Sequence, residues 1–326
     1  MRPPPQMVLW ACLALFPTRL VFGQSVVLNE IMFHPLQPQF GSEPVGEEFI
    51  ELFNGASTNV NLNGWHFSKG ISYTFGNVTL AAGAYLVVSP NTNAFRTRYA
   101  AVNNVVGNWS GTLGNNGETI ELLDGAGNVI DSVAYAAEGD WALHLRGQND
   151  LNHRGWTWSS EADGFGKSME LRNPNLFRGS GQNWGASVSA GGTPGRVNSL
   201  FTNNVAPLIL HLSHSPVVPR STDAVTINAQ IVDESTSGLN VTLFWRVDAT
   251  SPPPFTAQPM FDDGTHGDGL GGDGFYGAQL PPQPNNTVVE FYVQAVDADG
   301  RTNTWPAVVL PALDGAGPTG QVANAL

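Results

Sequence analysis

Cysteine and lysine are almost missing from this chain. Its 326 residues hold one cysteine, Cys12, and two lysines, Lys69 and Lys167. A lone cysteine excludes an internal disulfide and a cysteine-ligated zinc site. Basic residues are scarce altogether: 14 Lys and Arg stand against 27 Asp and Glu, for a formal charge of −13. Duplex nucleic acid and anionic membranes are bound by clustered Lys and Arg, and no such patch is present, so direct nucleic-acid binding is not expected. No stretch sustains helical periodicity for three turns. Catalytic signatures are missing too: there is no His-Glu-x-x-His, no Gly-x-Ser-x-Gly and no dinucleotide fingerprint. Gly164-Phe-Gly-Lys-Ser168 ends like a phosphate loop, but the position of its first glycine is Glu161. The chain therefore reads as a binding protein rather than an enzyme.

The N-terminus carries a targeting pattern. Arg2, the apolar run Met7–Phe16 and the compact residues Val21-Phe-Gly23 outline a secretory signal over residues 1–23, with cleavage ahead of Gln24. Pro17 and Arg19 interrupt it where a membrane helix would need apolar residues, so no transmembrane span is expected after cleavage. The expected location is secreted or at the cell surface. Cys12 leaves with the signal, and so do two basic residues, which takes the charge from −13 to −15. An exported chain without disulfides must be held by its own cores, and about 300 residues suffice for two.

Short apolar alternations bounded by turn residues fill the remainder. Ser25–Ile31, Glu48–Phe53, Tyr85–Ser89, Thr119–Leu123 and Val129–Tyr135 read as half-buried strands, as do Ala224–Val232, Val241–Val247 and Val288–Val296. Asp124-Gly-Ala-Gly-Asn128 is a hairpin connection, and Gly83 fits a turn between strands. Trp65, after the turn Asn63-Gly64, reads as a core plug. The predicted fold is all-β, with two β-sandwiches in series. Residues 25–198 form the first and 199–206 a linker. Residues 207–311 form the second, and 312–326 a flexible tail rich in Gly and Ala.

An ordered set of segments resembles a bacterial lamin-tail domain. It runs Val27-Leu-Asn-Glu-Ile31, Glu48-Phe-Ile-Glu-Leu-Phe-Asn54, Asn61-Leu-Asn-Gly-Trp65, Leu80–Val88, Gly117–Leu122 and Val129–Tyr135. Gly166-Lys-Ser-Met-Glu-Leu171, Asn183-Trp184 and Gly192-Thr-Pro-Gly195…Asn198 resemble the closing segment of that domain. The resemblance implies an immunoglobulin-like sandwich in an exported protein. Residues 206–311 resemble the immunoglobulin-like modules of bacterial surface proteins. This order of modules is similar to the front half of proteins ending in a CotH-type, kinase-like domain, none of whose motifs is present. Three functions stay open: a non-catalytic surface binding or scaffold protein, the accessory region of a longer CotH-like enzyme, or a carbohydrate-binding protein. The expected partner is a protein or glycan at the cell surface.

Three places offer candidate chemistry. From Asp262 to Gly274, thirteen residues hold four aspartates and six glycines, between two strand-like segments. Carboxylate oxygens suit hard cations, so Asp262, Asp263, Asp268 and Asp273 are candidate calcium ligands; Asp-Gly pairs are also ordinary turn chemistry without a metal. His266 reads as a solvated turn residue, since calcium prefers oxygen. Between Trp141 and Arg172 lie Trp141, His144, His153, Trp156, Trp158 and Asp163, a stacking face for sugars or peptides or, preferably, a cap on one end of the sandwich. Glu30, Glu48 and Glu51 raise the carboxylate pair of a glycosidase, which needs two carboxyls about 5–10 Å apart across a cleft. Glu48 and Glu51 differ by an odd number on one strand and point to opposite faces, which favours structural or solvated roles.

Overall fold

A computed structural model describes residues 26–150, 153–311 and 320–326. The expected signal, Cys12 and part of the expected tail lie outside them. The chain is nearly all β, as its periodicity predicts. The strands read from the sequence recur within about two residues of their expected ends, among them Val26–Met32, Phe49–Asn54, Tyr85–Ser89, Val225–Val232 and Val289–Val296.

Two sheets face each other in the first half. One runs in the order Trp184–Ala186, Met169–Leu171, Val26–Met32, Phe49–Asn54, Tyr85–Ser89, Val105–Gly107, and is antiparallel except for its last pair. The other runs Val129–Ala136, Gly117–Leu123, His66–Lys69, Tyr73–Thr74. Leu28, Ile50, Leu52, Phe67, Ile120 and Val133 are buried between them. Side chains of this size contribute about 1.5–3 kcal/mol each when fully buried. Trp65 joins this core as expected. Gly83 turns at φ +68°, where a Cβ would be strained. A bulge after Leu28 takes its amide out of the ladder, and Asp131 Oδ2 accepts it at 2.9 Å. Arg178 pairs with the same carboxylate at 3.1 Å, so the buried charge is compensated.

Val26–Met32 is buried at all seven positions. A strand with one solvated face alternates, so burial throughout means that something covers its second face. Residues 187–200 do so around Glu30, by contacts given below, and the helix Thr92–Arg98 does so at Met32, through Phe95.

In the second half, Leu208–Ser215, Val225–Val232 and Phe275–Leu280 form one sheet. Thr256–Pro259, Asn240–Val247, Val289–Val296 and Thr302–Trp305 form the other, and Ile227, Ala229, Leu243, Phe291 and Val293 belong to the core of this half. The halves are joined by side chains as well as by the chain. Gln182 imitates a peptide unit, donating to the Ile209 carbonyl and accepting its amide, both at 2.9 Å. Asn173 donates to Glu234 at 2.7 Å.

The expected flexible tail over 312–326 is corrected for its last residues. Asn324–Ala325 pairs with Glu290 and Phe291, and Leu326 exchanges both backbone hydrogen bonds with Val289. Thr302–Trp305 pairs only with residues 293–296, which leaves the start of Val289–Val296 an open edge. The tail closes that edge, and Leu326 adds its side chain to the core.

Candidate functional site

The Asp-Gly loop uses its carboxylates on its own backbone. Asp268, nearly fully buried, accepts the amides of Asp263 and Gly264 on one oxygen, at 2.6 and 2.7 Å, and that of His266 on the other, at 3.0 Å. Asp262 accepts from Gly272, Asp273 and Gly274. Asp273 accepts from Leu270 and Phe275, and Asp263 from Thr265 and the His266 ring. Five of the six glycines sit at positive φ, between +76° and +103°. Side-chain oxygens bonding amides a few residues away are what make Asp a turn residue. Burial opposes the charge on Asp268, but the amides it accepts outweigh it and hold its pKa below the ordinary range. The His266 and Thr265 side chains draw Asp263 down to about 2. Among the described residues no group of three or more acidic, histidine or cysteine side chains is arranged to hold a metal. Asp268→Ala orphans three amides and is expected to lower stability by about 1–3 kcal/mol, read by thermal melting; an unchanged melting temperature would mean the loop does not depend on this carboxylate.

The tryptophan segment divides in two. Trp141 is buried against Trp184, with ring centroids 5.7 Å apart, and matches the expected cap. Trp156 and Trp158 do not: they are 53% and 43% exposed on a hairpin of Leu143–Asp150 with His153–Ser159. Two residues apart on one strand, they share a face. His144 lies between them, with its ring 4.5 Å from Trp158 and 5.0 Å from Trp156. The Arg146 guanidinium sits 5.6 Å above Trp156. Burial pushes the His144 pKa down, which favours the neutral ring. Asp163 is elsewhere, bonded to His34 at 2.6 Å. The strand pairs His153 with Asp150. Leu310, from the second half, donates its amide to the His144 carbonyl at 2.9 Å and accepts that of Arg146 at 3.1 Å.

Two of the three glutamates weighed as a catalytic pair, Glu30 and Glu51, serve a structural role in a row with Glu170, which the sequence reading did not single out. Pairing register places Glu30 opposite both Glu170 and Glu51, so three carboxylates form a row across three adjacent strands. All three are 0% exposed. Residues 187–200 cover the row and are held by it. Glu30 Oε1 accepts the Ser168 hydroxyl at 2.5 Å and the Thr193 amide at 2.8 Å. Glu170 accepts the Thr193 hydroxyl at 2.8 Å, the Ser199 hydroxyl at 2.7 Å and the Leu200 amide at 2.9 Å. Glu51 accepts the Gly195 amide and the Asn29 side chain. A side chain at Gly192 would run into Glu30 Oε1 and Ser168 Oγ. Burial pushes Glu30 up to about 8, and burial followed by the Glu30 charge raises Glu51. Glycoside hydrolysis needs a sugar and a water between its carboxyls, and this row sits beneath a covering segment instead. The available signal was a glutamate in the middle of each of three apolar strands, Leu28-Asn-Glu-Ile31, Phe49-Ile-Glu-Leu52 and Met169-Glu-Leu171.

These elements define an immunoglobulin-like β-sandwich. Within it, residues 23–137 match the family model of the Lamin Tail Domain. The matched stretch ends before Met169–Leu171 and Trp184–Ala186, which complete the same six-stranded sheet. No curated protein matches the chain.

Proposed function

We propose that this chain is a non-catalytic, exported binding or scaffold protein of the bacterial cell surface, with the aromatic hairpin as its recognition face. One observation carries the reading: Trp156 and Trp158 hold two large rings outward on a shared face, ordered by His144 and Arg146. Exposed indoles beside a neutral imidazole suit flat ligands with one apolar face, either a glycan ring or an extended peptide. The similarity of residues 23–137 to the Lamin Tail Domain supports a binding role. In this reading the Asp262–Asp273 loop is stiffened by its own amides, in line with the metal-free turn weighed beside calcium for it.

The test is intrinsic tryptophan fluorescence during titration with panels of soluble glycans and surface-protein peptides. A ligand from either panel is expected to shift the emission, and Trp156→Ala or Trp158→Ala to weaken its binding about tenfold or more, since a stacked aromatic contributes on the order of 1–3 kcal/mol. A flat response across both panels would remove the hairpin as the recognition face.

A further inference from the structure

Three glutamates meet at a second place, apart from the hairpin, the buried row and the Asp-Gly loop. The consecutive residues Leu113, Gly114 and Asn115 each hold one of them. The Leu113 amide donates to Glu48 Oε2 at 3.0 Å, the Gly114 amide to Glu118 Oε1 at 2.7 Å, and Asn115 Nδ2 to Glu43 Oε2 at 2.9 Å. Adjacent Cα atoms are about 3.8 Å apart, so the three anchoring residues lie within one short stretch of chain. None of the ion pairs among the described residues involves these three carboxylates.

The oxygens left over share one property. Glu48 is 0% exposed and its Oε1 has no hydrogen-bond partner. Glu43 Oε1 and Asn115 Oδ1 are likewise buried and unpartnered. All three are acceptors, and a buried acceptor without a donor costs about 1–3 kcal/mol. A proton on Glu48 could serve one such contact, whereas a cation serves all three.

We propose that Glu43 Oε1, Glu48 Oε1 and Asn115 Oδ1 bind one calcium ion. Two carboxylates and an amide carbonyl make a hard, all-oxygen set, which suits calcium rather than zinc; magnesium would demand stricter octahedral geometry. With two acidic ligands it lies outside the sets of three or more acidic, histidine or cysteine side chains, of which the described residues have none. Water and backbone carbonyls complete the coordination. Glu43 and Glu48 precede Phe49–Asn54 in the six-stranded sheet, and Asn115 precedes Gly117–Leu123 in the four-stranded sheet. The ion therefore fastens one sheet of the sandwich to the other.

The test is calorimetric titration of the chelator-stripped full protein with calcium chloride, with melting followed in parallel. One calcium per chain is expected, with Kd on the order of 10⁻⁴ M, as in extracellular modules, and a melting temperature raised by several degrees at millimolar calcium. Glu48→Gln should abolish both responses, and so should Glu43→Gln, whose half-buried position makes it the safer variant for folding. Both should melt close to the calcium-free parent, because glutamine keeps an acceptor for the Leu113 amide at 48 and for the Asn115 side chain at 43. The double variant Asp268→Asn with Asp273→Asn should keep the ion. Absence of heat and of a melting shift overturns the proposal. Loss of the response in the aspartate variant with retention in the glutamate variants also overturns it and places the ion in the Asp-Gly loop.

Discussion

Glu30→Ala is expected to be among the most damaging single substitutions in the first half of the chain, costing on the order of 4 kcal/mol. The loss has two parts. Buried donors from Ser168 and Thr193 lose their acceptor, at about 1–3 kcal/mol each. Removal of a buried side chain also leaves a cavity, which adds to the cost. Residues 187–200 would keep their bonds to Glu51 and Glu170 and those of Asn198 to Asn29 and Leu171. Glu30→Gln keeps an acceptor for Ser168 and Thr193, and its amide can donate to a neighbouring carboxylate, so it should stay close to the parent near neutral pH. Paired denaturant titrations measure both, and limited proteolysis should find residues 187–200 cut faster in the alanine variant. An alanine variant within 1 kcal/mol of the parent would mean that the strap does not depend on Glu30.

Stability is expected to fall as pH rises from about 5 to 9 in calcium-free buffer, against the usual expectation for a carboxylate-rich protein. The sign follows from the direction of the shifts. Glu30 and Glu48 are pushed up to about 8 and Glu51 is raised, in each case chiefly by burial. Unfolded glutamates titrate near 4.3. Between these values the folded chain holds protons that the unfolded chain has released, so stability decreases with pH. The contribution is complete below the unfolded value and is lost as pH passes through about 8. The three groups together should remove several kcal/mol. Coupling between Glu30 and Glu51 spreads the loss over a wide range. The lowered aspartates Asp263 and Asp268 act oppositely and give up their contribution under strong acid, which leaves an optimum on the acid side of neutral. Denaturant midpoints at pH 6 and 9 check this, and Glu30→Gln should flatten the slope. A midpoint that is level or higher at pH 9 would mean that these carboxyls are already ionised in the folded protein.

Much of the fold was legible because its signals are local. Val289–Val296 alternates buried and half-buried positions along its length, and period-2 patterning located it. Trp65 was placed in the core by its size and the turn before it. The glutamate row was not legible, because a charged residue in a strand defaults to the solvated face. The odd spacing of Glu48 and Glu51 did argue for opposite faces. What it could not supply was that both are covered, one by the turn at Leu113 and the other by residues 187–200. Trp156 and Trp158 could be assigned a common face, but facing inward or outward depends on what packs against the hairpin. The return of Asn324–Ala325 to Val289–Val296 depends on an edge left open by another strand, and composition showed only glycine and alanine nearby. The Asp-Gly loop was conspicuous for its charge, while its amide bonding is a matter of backbone direction that composition does not carry.

The junction at Leu310 gives the molecule a mechanical property. Leu310 lies parallel to Leu145, and its two hydrogen bonds reach His144 and Arg146 on either side of that residue. A pull along the chain beyond this point stretches both bonds together, as in shear, instead of opening them one after another. Strain arriving there would reach the strand that carries His144 and Arg146, and with it the setting of the indoles they support.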